Sequence, residues 1–149
     1  MDKILLIGAG GHANACIEII ECNKKFKIIG LIAKKGVSLY KISPYTILGD
    51  DNDLTRLREV CKNALVSVGQ IKSPQIRIKL YDRLKELSFK LPVIISPRAH
   101  VSRTAQIGEG SIIMHGAIIN SNAKIGKNCI INTNALIEHD ALVGNHCHI

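Results

Sequence analysis

From Ile95 to the last residue the chain repeats every six positions without a slip, and no other feature limits its fold so tightly. The first position of each hexad is Ile95, Val101, Ile107, Ile113, Ile119, Ile125, Ile131, Ile137 and Val143, all β-branched and aliphatic. The fifth is Ala99, Ala105, Ser111, Ala117, Ala123, Cys129, Ala135, Ala141 and Cys147, all small. Gly108, Gly126 and Gly144 follow the leading residue of every third hexad, so the spatial unit is read as eighteen residues, three hexads to a coil. Repeats of this kind bury their apolar face only against neighbouring repeats. Coils stacked at the spacing of paired strands turn each inward position into a ladder, which branched aliphatics fill. The expected structure is a parallel β-helix; a β-meander would alternate with period two.

Residues 1–94 read differently. Lys3 to Ile7 is an apolar strand, a glycine turn follows, a helix is expected from about Gly11 to Asn23, and Ile28 to Ile32 forms a second strand. This is the opening βαβ unit of a doubly wound, Rossmann-like α/β domain with a parallel sheet. Beyond a polar loop, Tyr45 to Leu48 is expected as a short edge strand. Asp50, Asp51 and Asp53 are N-cap candidates for a helix through about Val60. Ala64 to Val68 is a third core strand. Pro74 opens a helix to about Leu87, with Ile76, Leu80, Leu84 and Leu87 on its apolar face. Leu91 to Ile95 is read as the last strand, and Ser96-Pro97 marks the change of period. The domains are therefore set at 1–94 and 95–149, almost without a linker.

Composition narrows the function. Among 149 residues there is no Trp, with three Tyr and two Phe, so the core rests on aliphatic side chains. The net charge is +8, and the excess lies in residues 1–94, because 95–149 hold four cations against three acids. A nucleic-acid partner is disfavoured by the absence of a recognisable binding motif and of aromatic stacking platforms. A small anionic substrate fits better. Five cysteines without a CxxC or a secretory signal indicate free thiols in a reducing compartment, with Cys129 and Cys147 as stacked packing groups. The apolar start is too short to span a membrane, and the expected location is the cytoplasm.

The hexads resemble the repeats of the left-handed β-helix acyltransferases, and the hand of the coil comes from that resemblance. Three further stretches, GAGGHA at 8–13, VGQIKSP at 68–74 and NTNALIEHD at 132–140, resemble the bacterial sugar acetyltransferases of sialic-acid and UDP-4-amino-sugar pathways. The resemblance implies acetyl-CoA as co-substrate, a homotrimer, and active sites between adjacent subunits. It makes His139 the catalytic general base, a role for which imidazole is suited near neutral pH. Asp140 raises its basicity, and Asn132, seven positions earlier, is a hydrogen-bonding partner in the site. His148 corresponds to a histidine that contacts acetyl-CoA. Gly10, Gly11 and His12 are implied to contact the acceptor sugar, and Gly69, ending the third strand, lines the same crevice.

Two departures matter. GAGGHA fits the GxGxxA dinucleotide fingerprint, yet the end of the second strand holds Ala33, Lys34 and Lys35 where an acid would accept the ribose hydroxyl, which disfavours an NAD reductase. Related UDP-sugar enzymes carry an acidic pair there to hold uridine, so its absence points instead to a sugar acid such as sialic acid. His146, Cys147 and His148 suggest zinc, but consecutive strand residues diverge, and no metal is expected. His100 and His115 are read as solvent-facing. The hexads stop with three coils complete, so the chain is expected to be a C-terminally truncated member with an incomplete acetyl-CoA site. The leading reading is O-acetylation of a sialic-acid-like sugar acid. The alternatives are N-acetylation of a UDP-4-amino-sugar and a non-catalytic trimeric β-helix binding module.

Overall fold

A computed structural model describes residues 1–36 and 44–149, and part of the polar loop expected before Tyr45 lies outside the described residues. The chain forms two compact units, Met1–Leu91 and Pro92–Ile149.

In the first unit four parallel strands lie in the order β3-β2-β1-β4, formed by β1 (Asp2–Ile7), β2 (Phe26–Ile32), β3 (Ile47–Gly49) and β4 (Asn63–Val66). Ile4 to Ile7 are buried without alternation, as a strand covered on both faces of a parallel sheet must be. Helix α1 (Gly11–Asn23) connects β1 to β2. The expected helix after Asp50 is shorter than its pattern suggests. A 3-10 turn over Asp51–Asp53 precedes α2 (Leu54–Arg58). Asp50 and Asp53 form a capping box, with Asn52 N donating to Asp50 Oδ1 at 2.8 Å and Asp50 N to Asp53 Oδ2 at 3.0 Å.

Helix α3 (Gln75–Glu86) packs Leu80, Leu84 and Leu87 on the core as expected, but Ile76 stays out and Arg77 and Tyr81 go in. Its buried residues are Arg77, Tyr81 and Leu84, while Ile76 is 52% exposed. The core beneath it joins Leu5, Ile7, Leu54, Leu57, Val66, Tyr81, Leu84 and Phe89.

The expected last strand, Leu91 to Ile95, also divides differently. Lys90 bridges Asn63 at the edge of the sheet, Pro92 has no N–H to extend a ladder, and β5 (Ile94–Ile95) belongs to the second unit, where it pairs with β8.

The second unit consists of two-residue strands joined by two-residue turns. They are β5, β6 (His100–Val101), β7 (Gln106–Ile107), β8 (Ile112–Ile113), β9 (Ile118–Ile119), β10 (Lys124–Ile125), β11 (Ile130–Ile131), β12 (Leu136–Ile137) and β13 (Leu142–Val143). Three parallel sheets result, β11-β8-β5, β12-β9-β6 and β13-β10-β7. Ile95 pairs with Ile113 and Ile113 with Ile131, so partners lie eighteen residues apart. The ladders of Ile113, Ile119, Ile125, Ile131 and Ile137, with Ala117, Ala123 and Cys129 between them, form the buried core. Cys147 packs against that core, and both Cys129 and Cys147 are free thiols.

The fourth hexad position carries the turns. Asn122, Asn128, Asn134, Asp140 and His146 have φ between 54° and 62°, and Gly110 and Gly116 lie near 72°. Asn and Asp tolerate this left-handed region better than other side chains. The turns stack into three corners: 97–98, 115–116 and 133–134; 103–104, 121–122 and 139–140; 109–110, 127–128 and 145–146.

Candidate active site

The parallel sheet reverses its winding between β1 and β4, and open α/β sheets bind ligands outside the carboxyl ends of the strands at such a point. Two loops meet there. Gly8 N donates to Ile32 O at 2.8 Å, and Ser67 Oγ donates to Gly8 O at 2.8 Å. A Cβ on Gly69 would lie 3.5 Å from His12 Cβ, in ordinary contact, so the second loop passes beside the first. His12 Nε2 lies 3.4 Å from Cys16 Sγ one turn further along α1. Burial pushes the Cys16 thiol up to about 12, so it stays protonated. Gly10 and Gly11 have no heavy atom within 4 Å of an added Cβ. Nothing inside the protein requires glycine there, whereas backbone N–H groups at a helix start can approach an anion closely only if the surface is bare. The four residues expected at the acceptor crevice, Gly10, Gly11, His12 and Gly69, are thus gathered in one place. A separate hollow of about 470 Å³, lined by Lys3, Lys62, Asn63 and Lys90, opens at the amino ends of β1 and β4, away from this crevice.

On the β-helix, His139 and Asp140 form the turn after β12 on the second corner. His139 Nδ1 lies 2.8 Å from Asp140 Oδ2, and both side chains are largely exposed. An ionised carboxylate only accepts hydrogen bonds, so Nδ1 carries the proton and the lone pair resides on Nε2. The hydrogen bond to Asp140, reinforced by its charge, raises the His139 pKa above the ordinary 6.5. Asp140 is held below the usual carboxylate range by His139 and then by a hydrogen bond from the Asn122 side chain, one coil earlier on the same corner. Asn122 N in turn donates to Thr104 Oγ1 at 3.0 Å. A cavity of about 400 Å³ beside the pair is lined by Thr104, Gln106, Asn122, Lys124, Asp140 and Leu142. The arrangement supplies a basic nitrogen at the surface, oriented through its opposite ring nitrogen.

Asn132 and His148 meet elsewhere. Asn132 lies at the start of the first-corner turn, and its amide nitrogen is 3.1 Å from His148 Nε2. His148 bridges to Ile130 in the sheet preceding that corner. Within one chain the structure therefore brings together His139 with Asp140, and Asn132 with His148, but not the two pairs. Their spacing holds the reason: each corner recurs every eighteen residues, and Asn132 stands at the 133–134 turn, one corner before the 139–140 turn that carries His139. His146 turns toward Asn128, with 3.0 Å between Nδ1 and Nδ2, so His146 and His148 point to different partners. Among the described residues no group of three or more His, Cys, Asp or Glu side chains is placed to hold a metal ion.

Sequence reasoning missed three residues. His115 is half-buried, not solvent-facing, and lies 2.5 Å from Ser96 Oγ through Nδ1. Asn122 could have been found from its eighteen-residue offset to Asp140. Arg77 could have been found from the 77, 81, 84 stripe on α3.

Known proteins can now be set beside this geometry. Residues 3–84 match the PglD N-terminal domain, and residues 104–139 match the bacterial transferase hexapeptide, six repeats. This chain belongs to the PglD N-terminal domain family. Its α/β domain with a parallel sheet, followed by a left-handed parallel β-helix, is the fold of structures similar to it. One is PerB from Caulobacter crescentus in complex with CoA and GDP-perosamine, with 31% identity and a TM-score of 0.90 over 99% of this chain and 68% of that one. Another is the acetyltransferase domain of PglB from Neisseria gonorrhoeae FA1090 in complex with acetyl coenzyme A. It has 29% identity and a TM-score of 0.88, covering 98% of this chain and 69% of that one. UDP-N-acetylbacillosamine N-acetyltransferase of Bacillus subtilis (strain 168) is 31% identical over 114 residues, 76% of this chain. The chain spans about half of that relative's length, 52%. Among the described residues no helix is long and apolar enough to cross a membrane.

Proposed function

We propose that the chain carries the acceptor domain and the general base of an acetyl-CoA-dependent N-acetyltransferase for a nucleotide-linked amino sugar. The observation that carries this reading is the His139–Asp140 pair, with its proton on Nδ1 and its lone pair on Nε2. His139 Nε2 takes the proton from the acceptor amine as its nitrogen attacks the thioester carbonyl of acetyl-CoA. Collapse of the tetrahedral adduct expels the CoA thiolate and leaves the acetamide. Asp140 keeps the ring oriented and stabilises the imidazolium that forms. Gly10, Gly11, His12 and Gly69 line the acceptor crevice, where backbone N–H groups suit the phosphates, and His148 with Asn132 contacts acetyl-CoA.

Amino-sugar N-acetylation, the alternative reading of the sequence, is favoured over sialic-acid O-acetylation. Among the similar proteins are ones named for perosamine and for UDP-N-acetylbacillosamine. The run Ala33, Lys34, Lys35 leaves the choice of nucleobase open, so UDP- and GDP-linked acceptors both belong in the assay. Homotrimerisation is part of the proposal. A site using His139 together with Asn132 and His148 needs two corners of the β-helix, and a neighbouring copy can bring the second. Ile118 at 42% and Leu136 at 54% exposure, stacked on the sheet between those corners, are suited to that contact. A reducing cytoplasm is the proposed location, and free thiols are in keeping with it.

The test is release of CoA thiol with UDP- and GDP-linked 4-amino sugars and with N-acetylneuraminic acid as acceptors. His139→Ala is expected to lower kcat by about 10² to 10⁴ with unchanged melting. Undiminished turnover in that variant overturns the assignment of His139 as the base, whereas no thiol release with any acceptor leaves the binding-module reading.

A further inference from the structure

The α/β unit buries a charged side chain. Arg77, on α3, is 1% exposed. Its guanidinium is charged at every physiological pH, and desolvating such an ion costs several kcal/mol even after relaxation. A residue held there at that cost calls for a physical reason, and its partners supply one.

Nη1 of Arg77 donates to Val66 O at 3.0 Å and to Val68 O at 2.7 Å. These carbonyls stand on either side of Ser67, whose hydroxyl is bonded to Gly8 O. Val68 also packs where a Cβ on Gly8 would come within 2.6 Å of its Cγ2. The next residue is Gly69, which passes beside His12. The positive charge of Arg77 is felt as well at Cys16, whose sulfur lies beside the His12 ring. A single guanidinium therefore holds one wall of the crevice directly and reaches the other through Ser67 and Val68. The rigid, planar guanidinium fork holds its one Nη1 amino group against the carbonyls of both Val66 and Val68, which an ammonium on a flexible stem does poorly. Because its charge is buried, it is weakly screened by salt.

We propose that Arg77 is a positioning residue for the acceptor: it sets the spacing between the Gly8–His12 turn and the Ser67–Gly69 loop, and lends a buried positive potential to the diphosphate of a nucleotide-linked sugar. The inference rests on the acceptor-crevice reading given above. It touches neither the reacting atoms nor His139, so it acts on binding and not on the chemical step.

The experiment measures binding of UDP and GDP by calorimetry, and steady-state kinetics, for the intact chain and for Arg77→Lys and Arg77→Met. The lysine variant keeps the charge and loses the fork; the methionine variant loses both. The wild type is expected to bind a nucleoside diphosphate. Arg77→Met is expected to weaken it by about tenfold or more, equivalent to about 1.4 kcal/mol, with Arg77→Lys intermediate. KM for the nucleotide sugar should rise in parallel while kcat at saturation and its pH profile stay at wild-type values. A merely structural role would lower the folded fraction, and with it kcat, and leave Kd and KM unchanged in the folded protein. Should Arg77→Met fail to fold, the lysine variant alone decides: wild-type Kd in it overturns the proposal. A wild-type chain that binds neither nucleotide instead refutes the crevice reading itself, and the two failures are told apart by that arm.

Discussion

Two glycines three residues apart, Gly8 and Gly11, should respond to the same substitution in opposite ways. Gly8 has φ +123°, and an added Cβ would stand 2.6 Å from Val68 Cγ2, 2.9 Å from Val68 N and 3.0 Å from Ser67 C. Forcing alanine into that backbone region costs about 1–3 kcal/mol, and the displacement of Val68 adds about 1–3 kcal/mol. Gly8→Ala should therefore destabilise the α/β unit by about 2–6 kcal/mol, lowering its Tm by about 8 °C at the least, since each kcal/mol moves a domain of this size by about 4–8 °C. Gly11 is the first residue of α1 and its Cβ would meet nothing within 4 Å. Alanine restricts the unfolded chain and favours the helix, so Gly11→Ala should stabilise the unit by about 0.4–1 kcal/mol. The added methyl nevertheless stands where a phosphate must approach, and binding of UDP or GDP should weaken about tenfold, about 1.4 kcal/mol. Thermal melts followed by circular dichroism, with calorimetric titrations, read both quantities. A Tm for Gly11→Ala that falls as far as that of Gly8→Ala would show that both glycines serve the fold, and unchanged nucleotide affinity in Gly11→Ala would remove the phosphate from this turn.

Other outcomes follow from the β-helix. The base form of His139 is the neutral one, and Asp140 raises its pKa above 6.5. Asp140→Asn should therefore move the acidic limb of the kcat/KM profile to lower pH, toward the ordinary imidazole value, and should reduce the plateau; an unmoved limb would dissociate the pair from turnover. By the same sign, the His139–Asp140 contact stabilises the fold below pH 6.5 and is lost as pH rises through the raised value, which a titration of His139 by NMR would follow. Gly126→Ala puts a Cβ 2.5 Å from Asn145 Oδ1 and 2.7 Å from Gly144 C. It should destabilise the β-helix by about 1–3 kcal/mol, detected as a lowered denaturation midpoint with circular dichroism of the remaining strands intact before the transition.

The ladder from Ile95 to Val143 was legible because its cause is local and repeated: each inward position meets its own equivalent one coil away. The edge of the α/β unit was not. Leu91 to Ile95 is continuous in hydrophobicity, and only pairing decides that Lys90 closes one sheet while Ile94 opens another. One edge of the inward face of α3, at Ile76 and Arg77, was misread for a related reason. Counting apolar residues favours Ile76, whereas the carbonyls of Val66 and Val68 at the end of β4 draw Arg77 inward, and a carbonyl that awaits a donor leaves no mark in the sequence.

Period, coil size, the identity of the inward ladders and the chemical types of the candidate site follow from the order of residues alone, because they depend on spacing and on side-chain size. Tertiary structure alone decided that Asn132 pairs with His148 on a corner other than that of His139 and Asp140, and that the Arg77 guanidinium is buried against the carbonyls of Val66 and Val68. Those outcomes depend on the angle each residue takes around the coil and on which backbone groups are left in need of a partner, and both are settled only when distant segments meet.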